Sequence, residues 1–318
     1  MMPAQTVFMY SGQGSQYYHM GRELYKSNLC FRKSMLKLDD IVYDINGKSV
    51  LSHLYNDNKK KSEPFKQISY SHLAIFMIEF SLTQLLIEQG IYPDYLLGAS
   101  LGEFVCAAVA NIVPAEIILE MIIKQTELIK DFCPEGAMIA VLHNVNLYYS
   151  DTFISERSKL AGINFPGHFI ISGLKNDLSN IEIYLGEKNI SFHVLPVPYG
   201  FHSNGINTIK DKYIDLLKDI KYKEAAIPFF SCSQINKVES VTADYFWGII
   251  SKPIMFQKLI VNMENTGSYR YLDLTPTGTL STFIKYNFKK LKSQSGYILN
   301  PYGKDLKQLE FILNSFKN

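Results

Sequence analysis

A short apolar segment that runs into two closely spaced glycines sets the strongest constraint on how this chain can fold. Residues 92–97 predict a strand, and Gly98-Ala99-Ser100-Leu101-Gly102 follows them directly. The next segment predicts a helix of small residues that can pack closely beneath the turn, among them Cys106, Ala107, Ala108 and Ala110. G-x-S-x-G between a strand and a helix is typical of a nucleophile elbow, whose strained turn exposes the serine hydroxyl. We therefore expect Ser100 to be a nucleophile; a purely structural turn is the alternative.

A serine nucleophile needs a base, and the chain offers seven histidines. His202 lies in PYGFHSNG, a loop marked by glycine and proline, and it is the candidate for this base. The other histidines carry no comparable motif, so solvated or structural roles are expected for them.

The order of predicted elements indicates an α/β fold interrupted by a smaller unit. Residues 6–10 and 271–274 predict buried strands, and residues 69–89 predict a helix that ends at Gly90. Residues 137–197 instead follow the order β-α-β-β-α-β of a ferredoxin-like module. We expect a large α/β-hydrolase-like domain with a parallel sheet, formed by residues 1–135 and 201–318, and an inserted ferredoxin-like domain, residues 136–200.

Composition excludes several other classes of protein. The formal net charge of +2 argues against a dedicated nucleic-acid binder. The four cysteines form no CxxC pair, which argues against a disulfide scaffold or a cysteine-rich metal site and suits a reducing cytosol. The glycine turn GQGSQ lacks the Gly-Lys-Ser/Thr ending of a nucleotide-binding loop, so neither a cofactor nor a metal is expected. We find no signal peptide and no apolar run of membrane length, and we expect a cytoplasmic protein.

Six ordered motifs resemble those of the malonyl-CoA:acyl carrier protein transacylase family, which includes the acyltransferases of polyketide synthases. SGQGSQ resembles the family's N-terminal PGQGSQ, GASLGE its GHSxGE, and YGFHS its xxFHS. Three further segments resemble its N-x-P-G, W-x(n)-P-V-x-F and E-x-G-P-G-x-L stretches, namely NFPGHFIISG, YFWGIISKPIMF and LDLTPTGTL. The chain is identified as a member of this family, and within the family it most resembles the acyl hydrolases of trans-acyltransferase polyketide pathways.

The resemblance implies a ping-pong acyl transfer. His202 would remove the proton of Ser100, whose oxygen attacks a thioester carbonyl. Backbone N–H groups of Gln13 and Leu101 would hold the oxyanion. The family orients its histidine with a main-chain carbonyl rather than a carboxylate, and spacing places that carbonyl near Ile249.

One departure from the family concerns the acyl group. Malonyl-loading members hold the substrate carboxylate with an arginine 25 residues after the nucleophile, where this chain has Gln125. No arginine lies between Arg32 and Arg157, and Lys124 should point about 100° away on a helix. An unpaired buried charge costs on the order of 3–5 kcal/mol, so malonyl is not the expected acyl group.

Smaller departures indicate that the acyl pocket has changed. The family's histidine before the serine is Ala99, and a family glutamine is replaced by His72. His72 is either a polar pocket residue, a second proton carrier, or a histidine at the end of a buried helix. Tyr199 replaces a residue that the family uses to tune acyl choice, and Phe201 and Asn164 complete the expected substrate-binding set.

Among relatives, glutamine in place of the arginine resembles acyl hydrolases, which remove acetyl and other uncharged acyl groups from carrier proteins. We expect this hydrolysis. The alternatives are a standalone acyltransferase that loads malonyl or another acyl unit from acyl-CoA, and a catalytically idle docking module. The expected partners are acyl carrier protein domains of a polyketide synthase, and the protein is expected to be a monomer. A candidate docking surface for these acidic partners, with a plain solvated face as the alternative, comprises Lys285, Lys289, Lys290 and Lys292.

Overall fold

The computed structural model describes residues 4–288, 290 and 293–317 of the chain. Its strands are β1 (Gln5–Tyr10), β2 (Tyr95–Gly98), β3 (Gly136–Val141), β4 (Lys159–Phe165), β5 (His168–Leu174), β6 (Phe192–Val194), β7 (Phe229–Ser231), β8 (Asn236–Lys237), β9 (Tyr269–Asp273) and β10 (Gln294–Tyr297).

The helices cover most of the remaining chain. They are α1 (Arg22–Ser27), α2 (Leu29–Asn46), α3 (Val50–Leu54), α4 (Ile68–Glu88), α5 (Gly102–Val109), α6 (Ala115–Phe132), α7 (Asn146–Ser150), α8 (Thr152–Arg157), α9 (Lys175–Glu187), α10 (Lys210–Leu217), α11 (Ala243–Ser251), α12 (Phe256–Thr266), α13 (Thr279–Asn287) and α14 (Asp305–Lys317). A 3₁₀ helix, Asn204–Ile209, precedes α10.

Six strands form the larger sheet, in the order β10-β9-β1-β2-β7-β8. Every pair is parallel except β7–β8. Five of the six residues of β1 are buried, as expected for a strand covered by helices on both faces. The predicted α/β fold with a parallel sheet is therefore confirmed. Because β1 and β2 are parallel neighbours, the turns that follow them, residues 11–16 and 98–102, lie side by side at one edge of the sheet.

The second sheet contains β4, β5, β3 and β6 in that order, with antiparallel pairing throughout. The chain visits it as β-α-β-β-α-β, the order predicted for a ferredoxin-like module, although the helical segment between β3 and β4 is split. Asp151 divides it into α7 and α8, because its side chain caps α8 by accepting the N–H of Ile154. That residues 136–200 form a separate domain stays a prediction.

Helix α4 crosses the centre of the core. By length and composition alone this helix could cross a membrane, contrary to the expectation that the chain has no apolar run of that length. However, 78% of its most apolar 18-residue window is buried inside the fold. Among the residues it buries are the polar His72 and Glu79. A core helix of this kind must give its polar groups partners or a cavity.

Candidate active site

Ser100 occupies the sharp turn between β2 and α5. Its φ is +55°, a left-handed conformation that non-glycine residues rarely adopt. Glycine is required on both sides of it. A Cβ on Gly98 would lie 2.7 Å from the Cα of Glu103, and one on Gly102 only 2.2 Å from the carbonyl oxygen of Tyr10. This is the geometry of a nucleophile elbow.

His202 reaches Ser100 from a loop 102 residues further along the chain. Its Nε2 is 3.0 Å from the Oγ of Ser100, and its Nδ1 is 2.7 Å from the carbonyl oxygen of Lys252. A carbonyl only accepts hydrogen bonds, so Nδ1 carries the proton and Nε2 is free to accept the serine hydroxyl. The backbone N–H of His202 also donates to the carbonyl of Ile250, which fixes the loop against the end of α11.

Burial determines the charge of this histidine. The side chain is almost fully buried, and desolvation lowers the pKa of His202 to about 4, although the hydrogen bond to Lys252 acts in the opposite direction. The imidazole is therefore neutral near pH 7, the form that a general base requires.

The prediction that Ile249 supplies the orienting carbonyl is wrong; Lys252 supplies it. Ile249 lies within α11, where carbonyls point along the helix axis. Lys252 is the first residue after the helix and has an extended conformation, so its carbonyl turns away from the axis towards the imidazole.

The glycine turn after β1 lies directly against the elbow. A Cβ on Gly12 would be 2.8 Å from the Cβ of Ser100 and 3.0 Å from the backbone nitrogen of Leu101. The turn is anchored by Glu79 of α4, whose carboxyl accepts both the N–H and the hydroxyl of Ser11. Burial raises the pKa of Glu79 well above its usual range. Gln13 and Leu101, the two predicted oxyanion donors, thus lie on adjoining turns beside Ser100.

A narrow cavity of about 40 Å³ opens at the Ser100–His202 pair. Within the part of the chain that the structure describes, no lysine, arginine, aspartate or glutamate lines it. Its wall is formed by Gln13, His72, Ser100, Leu101, Gln125, Met138, Ile170, Leu195, Phe201, His202, Ile250 and Ile254. The cavity is far smaller than the roughly 300–1,000 Å³ of typical small-molecule sites, so it suits a short group.

Gln125 and His72 are the polar side chains that α6 and α4 contribute to this cavity. Gln125 is fully buried, and its Nε2 donates to the hydroxyl of Tyr213 over 2.8 Å. Lys124 instead pairs with Glu120 at the surface, as its helical position predicts. Burial lowers the pKa of His72 to about 3.

Two predicted substrate-binding residues are not brought to the cavity. Asn164 is buried, but its side chain contacts His168 and its carbonyl accepts a hydrogen bond from Asn287. Tyr199 is half-buried outside the cavity wall. Phe201, by contrast, lines the cavity, with its ring centroid 5.5 Å from that of His72.

Two of the four candidate docking lysines are described by the structure, and both lie apart from the cavity. Lys285 and Lys290 are exposed and line no part of its wall, whereas Lys289 and Lys292 lie outside the described residues. The described residues contain no cluster of three or more histidine, cysteine or acidic side chains that could hold a metal ion.

Three contributors to the site are absent from the sequence predictions. Lys252 acts through its main chain, and the only clue is Pro253, which ends the helix just after it. Tyr213 carries no motif that would pair it with Gln125. Glu79 could have been found as an isolated carboxylate inside an apolar helix, since a buried carboxylate requires hydrogen-bond partners.

Comparisons with known proteins agree with this geometry. The acyl transferase domain family matches residues 7–318. The chain is 39% identical over 312 residues to the polyketide biosynthesis acyltransferase homolog PksD of Bacillus subtilis (strain 168), covering 98% of this chain and 96% of that protein. It is 38% identical over 315 residues to the homolog BaeD of Bacillus velezensis, covering 99% and 97%. A loading acyltransferase from the avermectin modular polyketide synthase matches the fold with a TM-score of 0.89 at 20% identity, covering 98% and 100%.

Proposed function

The chain belongs to the acyl transferase domain family, and on that premise we propose that it removes acetyl or other uncharged acyl groups from acyl carrier proteins by hydrolysis. The names of its relatives PksD and BaeD support substrates from polyketide biosynthesis. Acyl carrier protein domains of a polyketide synthase are the proposed partners, in the cytoplasm.

The first half of the reaction acylates the serine. The proton of the Ser100 hydroxyl passes to Nε2 of His202 while Oγ attacks the thioester carbonyl carbon. The N–H groups of Gln13 and Leu101 stabilise the resulting oxyanion. The C–S bond then breaks, and the leaving thiolate takes the proton from His202. The carbonyl of Lys252 keeps the imidazole in the required tautomer throughout.

The second half resolves the acyl-serine. A water molecule attacks the ester carbonyl and gives a proton to His202, the bond between the carbonyl carbon and Oγ breaks, and the proton returns to Oγ as the free acid leaves. A carrier thiol in place of water would give transfer instead. Both outcomes use the same residues.

No lysine or arginine of the described residues lines the cavity, and this observation carries the proposal for uncharged acyl groups. At the position where the family's malonyl-loading members have arginine, this chain places the neutral amide of Gln125, bonded to Tyr213. A malonyl carboxylate buried here would have no charged partner among the described residues, and it would lose a strong bidentate interaction.

A groove of about 470 Å³ adjoins the cavity and supports access for a carrier-bound thioester. The two share Leu195, and the ionisable side chains that line the groove are Lys61, Lys66, His193 and the acidic Glu63. Because carrier proteins are acidic, basic side chains at this position favour their approach. Lys285 and Lys290 do not line the groove.

The test is turnover of acetyl-carrier protein and malonyl-carrier protein, followed by mass spectrometry of the carrier and by titration of the freed thiol. Acetate and free thiol should appear with wild-type protein and disappear with Ser100→Ala. Efficient loading of malonyl from malonyl-CoA would contradict the proposal.

The alternative is a standalone acyltransferase, favoured by the naming of its relatives as acyltransferase homologs. Adding holo-carrier protein as a competing acceptor separates the two, because a transferase produces acyl-carrier in preference to free acid. If Ser100→Ala retained the biological role, the chain would instead be a docking module.

A further inference from the structure

Three polar side chains in the cavity wall have buried atoms that bond to nothing in the described chain. They are the Oε1 of Gln125, both ring nitrogens of His72, and the Nε2 and Oε1 of Gln13. Gln13 belongs to the glycine turn beside Ser100, whereas His72 and Gln125 belong to the helices α4 and α6. Apolar side chains form much of the surrounding wall, including Met138, Ile170 and Phe201. A buried polar group without a partner carries a desolvation penalty that a bound ligand can recover. These polar atoms without partners therefore point to a ligand that has hydrogen-bonding groups of its own.

His72 and Gln125 differ in the hydrogen bonds that they can still form. The Nε2 of Gln125 donates one of its two N–H groups to Tyr213, and the atom of this side chain that has no partner among the described residues is the acceptor Oε1. Burial lowers the pKa of His72 to about 3, and a neutral imidazole has one N–H donor and one acceptor nitrogen. These two lining residues therefore give the cavity an acceptor without a partner and a group that can donate.

We propose that His72 and Gln125 select a short acyl group that carries a hydroxyl substituent. A hydroxyl can donate to the Oε1 of Gln125 and accept the N–H of His72, whereas a methyl group satisfies neither. A keto oxygen only accepts, so it would leave Oε1 without a partner, and a carboxylate would oppose Oε1 with like partial charge. The cavity volume of about 40 Å³ restricts the acyl chain to a few carbon atoms.

This inference rests on the proposed acyl-enzyme reaction and names the substrate class within it. A site built to bind a hydroxyl rejects the analogue that lacks one, because its own polar groups then stay buried and unpaired. We expect kcat/KM for a hydroxylated acyl thioester to exceed that of its methyl isostere by about tenfold to a hundredfold.

The experiment compares isosteric pairs of carrier-bound thioesters: glycolyl with propionyl, and 3-hydroxypropionyl with butyryl. The rate of free thiol release and the accumulation of acyl-Ser100, followed by intact mass, are measured for each. Because the ratio within a pair is taken on one protein sample, a partly unfolded fraction cancels out.

Variants then assign the preference to the two side chains. Gln125→Met and His72→Leu should each reduce the ratio towards one. Ser71→Ala and Thr126→Val are the matched controls, since these neighbours are buried and do not line the cavity; they should keep the ratio. If a His72 variant fails to fold, Gln125→Met alone still tests the inference.

An equal rate for both members of each pair in wild-type protein would overturn the inference while leaving acetyl hydrolysis intact. A preference that survives Gln125→Met and His72→Leu would also overturn it. A complete lack of turnover with every thioester, acetyl included, would instead refute the proposed function.

Discussion

Replacing Gln125 by arginine is the most direct test of how the pocket selects its acyl group. The new guanidinium would lie in the wall of the cavity that contains Ser100 and His202. It can keep the contact with the hydroxyl of Tyr213, because arginine has five N–H donors, and still offer two of them to a carboxylate. We expect Gln125→Arg to load malonyl and to lose activity on acetyl.

The magnitude follows from burial. Gln125 is fully buried, so a malonyl carboxylate beside it is removed from water with no charged partner. Leaving such a charge unpaired costs about 3–5 kcal/mol, which corresponds to a factor of about 10² to 4 × 10³ in kcat/KM. The ratio of malonyl to acetyl turnover should therefore rise by about that factor in the variant.

The assay measures acyl-Ser100 formation from malonyl-CoA and acetyl-CoA by intact mass under single-turnover conditions. Lys124→Arg is the matched control, because it adds an arginine one position away on the surface, where Lys124 pairs with Glu120. A second readout avoids catalysis: free malonate should raise the melting temperature of Gln125→Arg and leave that of the wild type unchanged.

A folded Gln125→Arg protein whose malonyl-to-acetyl ratio equals that of the wild type would refute the reasoning. An equal gain in Lys124→Arg would also refute it, since the effect would then come from surface charge rather than from the pocket.

Three further predictions concern the catalytic pair and its surroundings. Because burial lowers the pKa of His202 to about 4, the acid limb of kcat/KM should lie well below pH 6, and a limb near 6.5 would contradict the assigned environment. His72 binds a proton more weakly in the folded than in the unfolded state, so the free energy of unfolding decreases as the pH falls below 6.5. Between pH 6.5 and pH 4 this decrease is about 3 kcal/mol. In urea unfolding experiments the variant His72→Gln should lack this pH-dependent decrease. Gly12→Ala should reduce turnover by a factor of about 10²–10³, because the new methyl group displaces the oxyanion donors. Gly186→Ala is the control, since the space around Gly186 is open, and it should leave turnover unchanged. Equal effects of the two variants would show that the reduction is not local.

The sequence was sufficient for the elbow and the base because both depend on residue type within a short segment. Ser100 needs glycines two positions away on either side, and His202 lies in a motif of its own. The carbonyl of Lys252 could not be found in this way, because every residue has a carbonyl and only the end of α11 decides which one is available. The pairing of Gln125 with Tyr213 likewise depends on the packing of separate helices.

Elements with weak patterns were also missed. Strand β10 has the sequence QSGY, which shows no alternation of apolar and polar residues, and its position in the sheet is set by pairing with β9. In the structure β10 lies between α13 and α14. Asn164 and Tyr199 were placed in the pocket by motif alone, and motif position does not determine where a side chain points.

Ser100 and His202 both have a left-handed backbone, with φ of +55° and +59°. Such conformations cost a non-glycine residue on the order of 1–3 kcal/mol each, so the two residues that react are also sites of backbone strain. Natural selection for turnover and selection for robustness therefore act in opposite directions at these positions. Glycine at either position would relieve this backbone strain, but it would also remove the side chain that reacts.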